Sequence, residues 1–157
     1  MTDLPAVTDR DVYITRSFAA PRATVWKFWT QPERLAQWFG PAGVHTPVER
    51  IEVEPREGGT WYLGMTDDAS GAVYPLSATF LKIIEPEYLE MVIDAAASDI
   101  VGELETLRLR VTFHDHGEKT RITLHQGPFT DEQKQATSTG WEQSFVKLDE
   151  IFAGVAE

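Results

Sequence analysis

The chain has 157 residues, which is the usual size of one domain, and its 25 acidic and 14 basic residues give a formal net charge of −11. That charge argues against nucleic-acid and anionic-membrane partners, and the absence of cysteine excludes disulfides and thiol chemistry. No apolar run approaches the roughly 18 residues of a membrane span, and the first ten residues do not resemble a signal peptide, so we expect a cytoplasmic protein.

A single domain over residues 1–157 is predicted, with residues 1–9 as a loose lead-in. The first strand is predicted at residues 11–18, DVYITRSF, because β-branched and aromatic side chains dominate this segment. Arg16 shares its alternation phase with Ile14 and Phe18, so it points toward the core. A buried guanidinium needs an anion, and an ion pair with a Glu of the last helix is the preferred interpretation over a ligand anion.

Two short helices are predicted after this strand. Pro21 opens the first, which places Val25, Phe28 and Trp29 on one face. Pro32 opens the second, and the breakers Gly40 and Pro41 end it.

From about residue 47 to residue 127 the apolar residues recur with a period of two. Short turns at Gly58-Gly59, 67–71, 85–87 and 116–118 separate the alternating runs, and residues 95–103 form a looser stretch. Successive alternating runs joined by short turns predict an antiparallel sheet with one buried face.

The last segment is predicted to be a long helix. Thr130 and Gln133 have the spacing of a capping box at its start. One apolar stripe follows, formed by Trp141, Ser144, Phe145, Leu148, Ile151 and Phe152. The apolar face of the sheet is the surface large enough to bury this stripe.

Three motifs in this order resemble the heat-shock protein 90 ATPase activator homologue family, a branch of the START/pollen-allergen-like (SRPBCC) superfamily. They are AAPRATVWKFWTQPERLAQWFGP at residues 19–41, REGGTWYLGM at 56–65 and GWEQSFVKLDEIF at 140–152. The resemblance implies an α+β helix-grip fold. In that fold a curved antiparallel sheet of about seven strands wraps around a long C-terminal helix, two short helices follow the first strand, and a cavity often lies between sheet and helix.

We predict that this protein binds a small hydrophobic molecule in such a cavity. Adaptable Met and Trp side chains facing the space between sheet and helix favour an apolar guest over a fully packed core, which is the alternative. Trp38 and Phe39 end the short second helix and are predicted to form the pocket mouth, or else a plug that only seals the core. The predicted ligand-binding residues are Trp38, Phe39, Trp61, Met65, Tyr74, Met91, Trp141 and Phe145.

No catalytic residue, metal or organic cofactor is predicted. Ser144 has no visible base partner and lies outside any nucleophile elbow, and His114 and His116 lack a converging third ligand. An enzyme that shapes a reactive substrate, such as a cyclase or hydrolase, would need a titratable group in the cavity. Tyr74, Arg16 and His125 are the candidates for that role.

A chaperone-binding role, suggested by the resemblance, is the main alternative function. An acidic surface could meet a basic face of a chaperone. The sequence leaves open whether the protein is a monomer or a homodimer.

Overall fold

The computed structural model describes residues 8–93 and 107–155. Most of the predicted lead-in and the predicted loose stretch at 95–103 lie outside these ranges. Within them, none of the helices is long and apolar enough to cross a membrane.

Eight strands of the described residues form one antiparallel sheet, in the order β1-β8-β7-β6-β5-β4-β2, with β3 also paired to β4. The strands are β1 (Val12–Phe18), β2 (Val44–His45), β3 (Ile51–Val53), β4 (Thr60–Asp67), β5 (Val73–Ile84), β6 (Tyr88–Ile93), β7 (Leu107–His116) and β8 (Lys119–Gly127). The helices are α1 (Arg22–Thr30), α2 (Pro32–Leu35) and α3 (Asp131–Val155). The predicted helix-grip fold is therefore confirmed, and the sheet has one strand more than expected because the two residues of β2 also pair with β4.

Proline sets the start of each short helix, but α2 ends at Leu35, so the predicted end at Gly40 and Pro41 is wrong and Trp38 and Phe39 lie in the turn and loop after the helix. Pro21 precedes α1 in an extended conformation, one position earlier than predicted, and Pro32 is the first residue of α2. Gly40 has a φ of 127°, and a Cβ there would lie 2.9 Å from the carbonyl oxygen of Val44. The chain can reverse direction after α2 only because residue 40 has no side chain.

The alternation predicted for the sheet appears directly in the pairing of β4 with β5. Trp61 pairs with Ala78 and Leu63 with Leu76, and all four side chains are buried. Since residues two apart share a face, this register turns one face of the sheet toward the core and leaves the other to solvent.

The capping box and the stripe of α3 are both present. The Thr130 amide donates to Gln133 Oε1 at 3.2 Å, and the Gln133 amide donates to Thr130 Oγ1 at 3.3 Å. Phe145, Leu148 and Phe152 are buried in the main hydrophobic core. The helix thus covers the inner face of the sheet with the residues that its sequence period predicted.

The expected ion pair of Arg16 with the last helix is present, but it lies at the surface and not in the core, since the side chains of Glu142 and Asp149 are 53% and 42% exposed. Its Nη1 lies 3.0 Å from Glu142 Oε1, and its Nη2 lies 2.5 Å from Asp149 Oδ2. Both acids belong to α3, so the pair joins β1 to the helix.

Candidate functional site

A cavity of about 390 Å³ lies beside the first half of α3. The sheet contributes Met65, Tyr74, Leu76 and Gln126 to its wall, and the loop after α2 contributes residues 39–41 and 44. The cavity is therefore lined by three separate parts of the fold and is open on one side.

The helix side of the cavity includes several small residues between Gln133 and Trp141. Ala136, Thr137 and Gly140 line it, followed by the large ring of Trp141. A Cβ added to Gly140 would meet only Pro41 Cβ, at 4.0 Å, so space remains in front of this turn of the helix. The cavity exists because these three positions hold no large side chain.

The loop wall, residues 40–44, is fastened to α3 by side chains of the helix. The Gly40 amide donates to Ser144 Oγ at 3.2 Å, and the Ala42 amide donates to Gln143 Oε1 at 2.9 Å. Ser144 in turn donates to the Gly140 carbonyl at 3.0 Å. Ser144 thus serves as a fastening residue, and both its donor and an acceptor site are occupied.

Lys147 completes the attachment of this loop. Its Nζ donates to the carbonyl oxygens of Val44 at 2.7 Å and Pro41 at 3.2 Å. Burial lowers the pKa of Lys147, while the nearby charge of Asp68 acts in the opposite direction. The ammonium is held by backbone dipoles in place of water.

Aromatic rings close the inner end of the cavity. Phe39 and Trp141 meet edge to face with their centroids 5.5 Å apart, and Trp141 stacks on Trp29 at 5.6 Å. The indole nitrogen of Trp141 donates to Gln126 Oε1 at 2.7 Å. The inner wall is apolar except where this hydrogen bond reaches it.

The eight predicted ligand-binding residues fall into two groups. Phe39, Met65, Tyr74 and Trp141 line the cavity. Trp38, Trp61, Met91 and Phe145 are at most 1% exposed and lie in the packed core. Trp38 donates its indole N–H to the Phe28 carbonyl at 2.9 Å and stacks on Phe145, so its surroundings are those of a plug residue. Ligand contact stays a prediction for the first group.

The three candidate titratable groups do not converge. Arg16 is held by α3, and His125 lies on the opposite face of β8 from Gln126, with its Nε2 2.9 Å from Asp11 Oδ2. Burial would raise the pKa of Asp11, but its hydrogen bonds with His125 and Thr8 outweigh this effect and lower it. Among the three candidates, only Tyr74 reaches the cavity, at its exposed rim.

The predicted absence of a metal site rested on His114 and His116. His114 Nε2 lies 3.1 Å from Thr123 Oγ1, and burial together with the charges of Arg121 and His116 lowers the pKa of His114. Within residues 8–93 and 107–155, no group of three or more His, Asp or Glu side chains is placed to hold an ion.

Sequence reasoning missed Gln126, Thr137 and Gly140. Gln126 follows Ile122 and Leu124 at a spacing of two, so the strand period already placed an amide on the buried face. Thr137 and Gly140 precede Trp141 on the face of the helix stripe, and their small size was the available signal for a gap.

Comparisons with known proteins agree with this architecture. A sequence model for a family described as activator of Hsp90 ATPase homolog 1-like protein matches residues 19–153. A crystal structure of a Chromobacterium violaceum protein has a TM-score of 0.80 at 20% identity, covering 92% of this chain and 98% of that one. A Nitrosomonas europaea protein has a TM-score of 0.77 at 23% identity, covering 96% and 99%.

A third similar structure is the AHSA1 protein from Silicibacter pomeroyi, with a TM-score of 0.76 at 22% identity over 91% of this chain and 97% of that one. At these identities the likenesses establish the fold alone. No curated protein matches the chain.

Proposed function

This chain belongs to the activator of Hsp90 ATPase homolog 1-like family, and on that premise we propose that it binds a small, mainly apolar molecule in the cavity beside α3. The observation that carries the proposal is the largely apolar cavity itself. Its volume of about 390 Å³ is at the small end of the range of roughly 300–1,000 Å³ typical of ligand pockets.

The lining supports an apolar guest. Phe39, Met65, Leu76 and Trp141 offer carbon surface on the loop, sheet and helix sides. A guest that removes this surface from water gains roughly 25 cal/mol for each Å² of apolar area buried. Met65 adds an adaptable side chain that can adjust to the shape of the guest.

The walls are largely formed before a ligand arrives. Ser144, Gln143 and Lys147 already hold the loop wall against α3. A site whose walls are ordered in advance loses less conformational entropy on binding than one that must assemble, which supports a binding role for the cavity.

The direct test is titration with the neutral fluorophore N-phenyl-1-naphthylamine. The wild-type protein should bind it saturably, and so should Gly140→Ala, since a methyl group fits in front of residue 140. Gly140→Phe should weaken binding at least about tenfold, because the ring occupies the cavity, at about 1.4 kcal/mol per decade.

Melting temperatures of the three proteins control for folding. A wild-type protein that shows no saturable binding, or a folded Gly140→Phe variant that binds as tightly as Gly140→Ala, would contradict the proposal. Native mass spectrometry of protein purified without added ligand would then identify any guest that is retained.

A chaperone-binding role is the second candidate. The family description names activation of the Hsp90 ATPase, and the net charge of −11 would attract a basic partner surface. The test is the ATP hydrolysis rate of purified Hsp90 with and without this protein at low and high salt. A stimulation that salt abolishes supports this role, and an unchanged rate at both salt concentrations argues against it.

A further inference from the structure

The amide of Gln126 has one orientation, and Trp141 fixes it. An indole nitrogen can only donate a hydrogen bond, so the Gln126 atom 2.7 Å from Trp141 Nε1 must be the acceptor Oε1. The reverse orientation would bring two N–H donors together. The NH₂ group of Gln126 is therefore directed away from Trp141.

This NH₂ group belongs to a buried side chain that faces the cavity. Gln126 is only 4% exposed and lines the cavity from β8. Among the residues that the structure describes, none accepts a hydrogen bond from its Nε2. An amide donor that borders the cavity can form a hydrogen bond with a guest, so this position favours a guest that carries an acceptor atom.

The remaining lining restricts the charge of the guest. None of the described residues that line the cavity is Asp, Glu, Lys, Arg or His. A carboxylate or ammonium group would be desolvated there without a charged partner. Thr137, which lies one helical turn before Trp141 on the same face, adds a hydroxyl to the same wall.

We infer that the cavity recognises a neutral apolar molecule that carries a carbonyl oxygen, such as a ketone or an ester, with Gln126 Nε2 as the donor to that oxygen. This inference rests on the proposed function and names the ligand class for the same site. A carbonyl oxygen accepts the hydrogen bond without bringing a charge, whereas a hydrocarbon leaves the donor unpaired and a fatty-acid carboxylate brings an uncompensated charge.

The test uses three naphthalenes of similar shape as competitors of N-phenyl-1-naphthylamine. In the wild-type protein 2-acetylnaphthalene should bind about three- to tenfold more tightly than 2-ethylnaphthalene, which is the range expected for one hydrogen bond. The charged 2-naphthoate should bind more weakly than the ketone.

Two variants locate the donor. Gln126→Met should reduce the preference for the ketone over the hydrocarbon to about one by weakening only the ketone. Gln126→Glu keeps an acceptor for Trp141 and removes both donors once its carboxyl is ionised, so at a pH above the pKa of that carboxyl it should also abolish the preference. If only one of the two variants folds, that variant is sufficient to test whether Gln126 is the donor. Without any variant, a labelled ketone should show a lower carbonyl stretching frequency in the wild-type protein than in an apolar solvent.

The outcomes separate this inference from the function on which it rests. If the wild-type protein binds none of the probes, the proposed function fails and the inference fails with it. If the ketone and the hydrocarbon bind equally well, binding stands and the carbonyl assignment is overturned. A ketone preference that persists in the folded variants, or a carbonyl frequency equal to that in apolar solvent, also overturns the assignment.

Discussion

The two halves of α3 face the same sheet but produce opposite results. The second half presents Phe145, Leu148 and Phe152 and forms a filled end, where these side chains are at most 1% exposed. The first half presents Thr137 and Gly140 and forms an open end, where the cavity lies. Because one continuous helix serves both ends, the size of its side chains decides where the grip is filled and where it can hold a guest.

The indole groups show a second difference between the two ends. At the filled end Trp38 and Trp61 donate to the backbone carbonyls of Phe28 and Trp29, at 2.9 and 3.0 Å. At the open end Trp141 donates to a side chain, the amide of Gln126. A backbone carbonyl oxygen can only accept, so it offers no donor to a further group. The side-chain amide of Gln126 accepts the hydrogen bond from Trp141 and still has two N–H donors.

The largest effect is expected from Trp38→Ala at the filled end. Removing a fully packed indole should lower the free energy of unfolding by about 3–5 kcal/mol, as for other aromatic truncations. The affinity of the folded protein for N-phenyl-1-naphthylamine should not change, since Trp38 is not in the cavity wall. Urea melts and probe titration measure the two quantities.

Phe39→Ala is the matched variant for Trp38→Ala. Phe39 is buried in the core and also lines the cavity, so both stability and probe affinity should fall. If Trp38→Ala weakened the probe about tenfold with an unchanged urea midpoint, the pocket-mouth interpretation of Trp38 would be correct and the plug interpretation wrong.

Leu148→Ala tests the filled end from the helix side. Leu148 is completely buried, and its truncation should cost about 2–5 kcal/mol of unfolding free energy. Val146→Ala is the control, because Val146 is 51% exposed on the same helix and should change stability by less than about 0.5 kcal/mol. Equal losses in the two variants would show that the helix stripe is not buried as described.

Much of the fold could be predicted because its signals are local. The period of two in β4 to β8, the stripe of α3 and the prolines at the starts of α1 and α2 each depend on neighbouring residues. The 3₁₀ turn at 48–50 and the two residues of β2 were not predicted. Val44 pairs with Asp67, which is far away in the sequence, and no periodic pattern of residues predicts this contact.

For the candidate site, the sequence predicted which side chains lie on the buried face of the sheet but not which of them border the cavity. Trp61 and Met65 share one face of β4, yet Trp61 lies in the filled end and Met65 borders the cavity. The period of two along a strand indicates which face of the sheet a side chain is on. It does not indicate whether another side chain or a cavity lies opposite that side chain. That depends on how far α3 is shifted along the sheet, so the gap in front of Gly140 could not be derived from the strands.

A smaller effect is expected at the loop wall of the open end. Lys147→Met keeps the aliphatic stem but removes the donors to Pro41 and Val44. The free energy of unfolding should fall by about 1 kcal/mol, because the lost hydrogen bonds are only half-buried. Dissociation of N-phenyl-1-naphthylamine should become faster, since the loop then loses one of its attachments to α3 and keeps those of Gln143 and Ser144. Stopped-flow dilution measures this rate, and an unchanged rate would show that Lys147 does not hold the wall.

Lys147 also predicts a pH dependence. Burial lowers its pKa in the folded state below the ordinary 10.5, so the unfolded chain binds more protons in the window just below pH 10.5. The wild-type protein should therefore gain stability relative to Lys147→Met as the pH rises through that window. Urea melts of both proteins from pH 8 to 10.5 isolate this residue, because the other titrating groups are common to both. A difference that shrinks with rising pH would contradict the assigned direction.

The smallest effect is expected from Gly140→Ala, and its sign tests whether the open end is open. Alanine is favoured over glycine inside a helix by roughly 0.5–1 kcal/mol, and the new Cβ meets only Pro41 at 4.0 Å. The variant should therefore be more stable than the wild-type protein by about that amount. Gly59→Ala is the contrasting control, because its Cβ would collide with the Glu54 carbonyl oxygen and should destabilise the fold. The midpoints of urea unfolding show whether each variant is more or less stable than the wild-type protein. If Gly140→Ala were destabilising, the turn of α3 in front of the cavity would be packed rather than empty, and the distinction between the two ends of the grip would disappear.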